Sequence, residues 1–137
     1  MHRVLMLEYD PDDRYISKEF FAQAERRIAI DFVTNSDEFI AFLQMQRHTD
    51  IQLPSLIIMN QKAAPSDPLT LLKQLKTDPY YKSIPVVILG DISHAGLTRS
   101  YYDAGASSFI LKPVTYDETR QKIETFIRYW FEIVVLN

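Results

Sequence analysis

The chain has 137 residues and no cysteine, which excludes disulfides and thiolate-bound metals and leaves the redox compartment unspecified. Glycine is scarce. Gly90, Gly96 and Gly105 are the only three, and none follows the first apolar run, so a glycine-rich phosphate cradle is missing there. Neither sign of charge dominates: 15 basic against 18 acidic side chains give a net charge of -3, with no basic stripe. That balance argues against nucleic acid as a partner. Long hydrophobic runs are also absent. The N-terminal stretch to Leu7 meets Glu8, Asp10, Asp12 and Asp13 too soon for a signal peptide, and Ile133 to Leu136 falls far short of a membrane span. The expectation is a cytoplasmic protein with no membrane segment. His2, His48 and His94 lie far apart without metal-ligand spacing.

What is present reads as one globular domain over residues 1–137, with no output domain expected. Its 47% hydrophobic and 24% charged residues are enough to build and solvate a single core. Apolar runs of strand length alternate with helical patterns. Val4 to Leu7 is the first strand, and a helix follows from about Asp12 to Arg26, with Tyr15, Ile16, Phe20 and Ala24 on one face. Ile28 to Val33 alternates as a half-exposed strand. Ser36 is the predicted N-cap of a helix whose inner stripe is Phe39, Phe42, Leu43 and Gln46. Leu56 to Met59 is a buried central strand, followed by a helix over Pro68 to Thr77 with Leu69, Leu72 and either Leu75 or Lys76 in register. Val86 to Leu89 is the fourth strand, with a helix from about His94 to Ala104 stopped by Gly105. Phe109 to Leu111 is the fifth, closed by Lys112-Pro113. The last helix starts near Thr115 or Tyr116, with Ile123, Phe126, Ile127, Trp130 and Val134 stacked on one face.

Five strand–helix units with continuously apolar strands predict an α/β, doubly wound parallel sheet covered on both sides. Ligands in such sheets gather beyond the carboxyl ends of the strands. The residues there are Glu8 to Asp10, Asn60 to Gln61, Gly90 to Asp91 and Lys112.

Four segments at these strand ends carry a resemblance. They are Leu7-Glu8-Tyr9-Asp10-Pro11-Asp12-Asp13, Pro54 to Asn60, Ile84 to Leu89, and Ala104-Gly105-Ala106-Ser107-Ser108-Phe109-Ile110-Leu111-Lys112-Pro113. In this order and spacing, from Val4 to about Arg128, the chain resembles the receiver domain of two-component response regulators. The resemblance implies a flavodoxin-like (βα)5 fold with strand order 2-1-3-4-5. It also implies a pocket of two carboxylates after the first strand, an acceptor aspartate after the third, a hydroxyl after the fourth and a lysine after the fifth. The three carboxylates would hold magnesium, and the metal and the lysine would draw in a phosphoryl dianion and spread its charge.

Matched position by position, most of that pocket is altered. Glu8 fills the first carboxylate position, Tyr9 falls on the second, and Asp10 is nearby, but strand alternation should point it differently from Tyr9. Asn60 stands at the acceptor position, where a carboxylate could form an acyl phosphate and an amide cannot. Gly90 falls on the hydroxyl position, Lys112 matches outright, and Phe109 matches the aromatic that reorients on phosphorylation in typical members. The implied magnesium site is lost or very weak, and Lys112 is expected to pair with Glu8 or Asp10 instead. Without a hydroxyl at position 90, Phe109 should hold one position.

The expected function is a stand-alone pseudo-receiver, not an enzyme, that acts by protein–protein contact with a histidine kinase or a downstream effector, independently of phosphorylation. Its output would pass through the fourth helix, fifth strand and fifth helix. One tyrosine of each pair, Tyr80/Tyr81 and Tyr101/Tyr102, should pack inward. Tyr101 and Tyr102 are interface candidates, as is Phe131 in the apolar C-terminal segment, where a homodimer contact competes with a folded-back tail. The alternative is a phosphorylatable receiver with Asp10, Asp67 or Asp91 replacing the acceptor. A flavin-binding variant of the fold rests on fold analogy alone.

Overall fold

The computed structural model describes residues 2–24, 27–49, 52–62, 67–91 and 95–137. Five strands and the helices between them follow in strict alternation: β1 (His2–Leu7), α1 (Pro11–Ala22), β2 (Ile28–Val33), α2 (Ser36–His48), β3 (Leu56–Asn60), α3 (Pro68–Thr77), β4 (Val86–Gly90), α4 (Ala95–Asp103), β5 (Ser108–Leu111) and α5 (Tyr116–Arg128). A π-helical turn, Tyr129–Ile133, continues α5. The sheet is wholly parallel in the order β2-β1-β3-β4-β5, the doubly wound arrangement of the flavodoxin-like receiver fold.

The central strands are apolar throughout because both of their faces are covered. Successive side chains point to opposite sides. Leu5, Leu7, Ile57, Met59, Val86 and Ile88 pack under Phe39 and Leu43 of α2, Leu71, Leu72 and Leu75 of α3, and Tyr101 of α4. Val4, Met6, Leu56, Ile58 and Val87 face Phe21 of α1, Ile127 of α5 and the Trp130–Phe131 turn. The helix starts are fixed by short polar side chains. Asp10 caps α1 ahead of Pro11, Asp67 caps α3 ahead of Pro68, and Thr115 caps α5. Helix α4 ends in a Schellman motif, in which Ala106 N–H reaches Tyr101 O and Gly105 N–H reaches Tyr102 O, each at 3.0 Å. Gly105 there has φ +108°, a left-handed value that favours glycine.

Several expectations change. The cap of α2 is Asn35, not Ser36: the Asn35 side chain accepts from Glu38 N–H, and the Glu38 carboxylate returns to Thr34. Helix α1 ends at Ala22, so Ala24 lies beyond it, and Arg26 lies outside the described residues, as does His94 before α4. Tyr15 is exposed, and Phe21 takes its place beside Phe20 in the buried stripe. At the C-terminus, Val134 N–H bonds to Tyr129 O at 2.9 Å, a five-residue step that widens the turn. Neighbours Trp130 and Phe131 both enter the core there, as Phe20 and Phe21 do on α1. Phe131 is therefore a core residue that meets the His2 ring at 5.4 Å, not an interface side chain. The tail folds back, and Ser55 Oγ donates to the carbonyl of Asn137 at 2.7 Å.

Candidate functional site

At the carboxyl ends of β1, β3 and β5, three polar side chains meet inside the protein. Glu8, directly after β1, is 1% exposed, and Asn60, the last residue of β3, is 3% exposed. The Asn60 amide nitrogen lies 2.8 Å from each Glu8 carboxylate oxygen, to which it donates. Its carbonyl oxygen accepts from Lys62 N–H at 3.0 Å, which fixes which way the amide faces. Lys112 Nζ lies 3.5 Å from Glu8 Oε1 and 2.9 Å from Asp13 Oδ2. Its backbone N–H is held by Gly90 O at 2.8 Å, which ties the end of β5 to the end of β4.

Each position follows from local structure. Arg14 Nη1 donates to the carbonyls of Glu8 and Tyr9 and pins the β1–α1 loop. That loop turns Tyr9 outward to 55% exposure. Asp10 does not pair with Lys112, because its carboxylate accepts Asp12 N–H at 2.8 Å as the α1 cap. Asp13 takes that partnership instead. Its signal was available in the sequence: it sits three residues past the cap, on the turn that faces the strand ends.

Burial raises the Glu8 pKa above the ordinary carboxylate value, against the opposing pull of the Lys112 charge and the Asn60 hydrogen bond. For Lys112 burial acts to lower the pKa, but the Asp13 hydrogen bond and the Glu8 and Asp13 charges outweigh it and hold the ammonium above its usual value.

Next to this network, Gly90 is buried, and Phe109 occupies the space a side chain would need. A Cβ at position 90 would lie 2.6 Å from Phe109 Cζ and 2.9 Å from both Phe109 Cε1 and Gln61 Oε1. Phe109 leans on Tyr101 with ring centroids 5.6 Å apart. Tyr101 is thereby 3% exposed and excluded as a contact residue, whereas Tyr102 is 46% exposed and its hydroxyl accepts Phe109 N–H at 3.0 Å. Tyr81 packs inward and Tyr80 outward, where Arg47 stacks over its ring at 4.2 Å. Among the described residues, no group of three or more His, Cys, Asp or Glu side chains is arranged to hold a metal ion. No helix among them is long and apolar enough to cross a membrane.

The model of the family described as "Response regulator receiver domain" matches residues 4–124. The chain belongs to the response regulator receiver family. A curated relative, the probable C4-dicarboxylate response regulator DctR of Priestia megaterium, is 24% identical over 130 residues. The match covers 95% of this chain and 54% of that protein, so the chain spans about half of the relative's length. Among solved structures, the Mn(2+)-bound form of response regulator Rcp1 superimposes with a TM-score of 0.90 at 20% identity, covering 100% of this chain and 99% of that one. RPA3017, a response regulator in red light signalling of R. palustris, gives 0.89 at 18% identity over 100% and 99% of the two chains. The phosphorylated cyanobacterial phytochrome response regulator RcpA gives 0.89 at 22% identity over 99% of each. At these identities the likeness establishes the fold. Receivers are signalling modules that work with histidine kinases or effectors in two-component systems, and the strand-end network occupies the corresponding end of this receiver.

Proposed function

We propose that this receiver signals by protein contact and that its strand-end pocket no longer exchanges phosphoryl groups. The observation that carries the reading is the Asn60–Glu8 pair. The amide that stands at the acceptor position turns its NH2 onto both carboxylate oxygens. An amide nitrogen so engaged is neither a nucleophile toward phosphorus nor a metal ligand. The donor set does not fit magnesium, which favours several carboxylate oxygens with water completing an octahedron. Position 9 is an exposed tyrosine, and the Glu8 oxygens are taken by Asn60 and approached by Lys112.

The substitute acceptors are occupied elsewhere. Asp10 and Asp67 cap helices, and Asp91 pairs with Lys62 at 3.2 Å. Lys112, the cation that would meet a phosphoryl group, already bridges two carboxylates. Output then rests on the surface of α4, β5 and α5, where Tyr102 and Leu111 stand exposed. The partner is a histidine kinase or an effector in the cytoplasm, or a second copy of the chain.

Intact mass after incubation with acetyl phosphate and magnesium tests this, with Asn60→Asp alongside. Neither protein should gain a phosphoryl group efficiently. A stoichiometric, base-labile adduct on the native chain would overturn the reading.

A further inference from the structure

Between α1 and α5, behind the sheet, lies a cavity of about 150 Å³. Its walls include Met6 and Ile58 from the central strands, Phe21 from α1, Ile110 from β5, and Ile123 and Phe126 from α5. Protein interiors are normally packed to crystal density, and cavities of about this size walled by Leu, Ile and Phe take up benzene. This one opens to solvent, and its lining includes half-buried Thr119 and Lys112 and the exposed Lys122.

The rim is asymmetric in its charges. Lys112 is already held by Asp13 and Glu8. Among the described residues, Lys122 donates one hydrogen bond, to Leu111 O at 2.7 Å, and has no ion pair with a carboxylate. The acid one helical turn before it, Glu118, is turned away to accept Val114 N–H at the start of α5. The lysine therefore keeps two N–H donors at the edge of an apolar chamber, a pairing of greasy walls and a few convergent polar groups that marks small-molecule sites.

The geometry points to a binding site for a small carboxylic acid with one aromatic ring or a short branched chain, its apolar end in the cavity and its carboxylate on Lys122. The site stands apart from the phosphoryl question. Its occupant would touch the wall formed by Glu8 and Lys112, and so would report directly to the strand-end network.

The test is a titration followed through the Ile58, Ile110 and Ile123 methyl signals by NMR. Benzoate is the probe, toluene the neutral control and acetate the control for charge alone. Benzoate should shift these methyls saturably, toluene more weakly, and acetate not at all. Lys122→Gln should weaken benzoate about five- to tenfold and leave toluene unchanged. Ile123→Phe, which fills the chamber, should abolish both. Absence of a saturable methyl shift with any probe in the native protein would overturn the site. Benzoate binding unaffected by Lys122→Gln would overturn the carboxylate assignment, and binding retained in a folded Ile123→Phe protein would overturn the location.

Discussion

Replacing Gly90 with alanine adds a single carbon to a buried strand end, and that carbon would lie 2.6 Å from Phe109 Cζ. Carbon atoms prefer a separation of roughly 3.5–4.0 Å, so the ring and the methyl cannot share the space. Overpacking of this kind costs about 1–3 kcal/mol. A second effect acts in the opposite direction. Gly105 is the glycine with positive φ among the described residues, so the Gly90 backbone suits alanine. Alanine there should gain about 0.4–1 kcal/mol by restricting the unfolded chain. The net expectation is a loss of about 0–2.6 kcal/mol. In a Phe109→Ala background the ring is gone, and the same methyl should instead stabilise by about 0.4–1 kcal/mol. The Gln61 side chain at 2.9 Å can swing aside, so it should not mask the reversal. Urea unfolding followed by the fluorescence of Trp130, the only tryptophan and a buried one, gives all four corners of the cycle. Additivity within about 0.5 kcal/mol would refute the steric coupling of Gly90 to Phe109.

The remaining expectations concern the network and the tail. Because burial raises the Glu8 pKa in the folded protein, its contribution to stability is fully present below the unfolded carboxyl value and is lost as pH rises through the folded one. The stability of the native protein relative to Glu8→Gln should therefore fall with rising pH across that window, and a pH-independent difference would contradict the assignment. Lys112→Met should cost about 1–3 kcal/mol near neutral pH by leaving Glu8 buried without its counter-charge, a loss largely recovered by adding Glu8→Gln. Asp13→Asn, whose carboxylate is partly solvated, should cost less than about 1 kcal/mol. Equal losses in chemical denaturation would place the weight of the cluster on Asp13 instead. Phe131→Ala should lose about 3–5 kcal/mol and Ile133→Ala less than about 0.5 kcal/mol, and equal losses would contradict the burial of Phe131.

The sequence by itself settled the alternation of strands and helices, because continuously apolar runs such as Leu56 to Met59 are legible only as strands buried on two faces. It also settled which side chains reach the strand ends, since the end of each run names its own residue: Glu8, Asn60, Gly90 and Lys112. Helix α3 was readable to the residue, because Asp67-Pro68 marks its start. What the sequence did not decide were matters of phase and partnership. The buried stripe of α1 included Phe21 and excluded Tyr15, a rotation set by the Val4, Met6 and Ile58 face against which the helix packs. The π-helical turn contains a widening that no 3.6-residue pattern shows, and Phe131, a candidate surface residue by helical spacing, packs into the core beside Trp130. The choice of Asp13 over Asp10 for Lys112 depended on which carboxylate the α1 backbone had already claimed. Residue identities are local and can be read in order. Partners are decided by competition among groups 50 to 100 positions apart, and only the closed sheet brings those competitors within reach of one another.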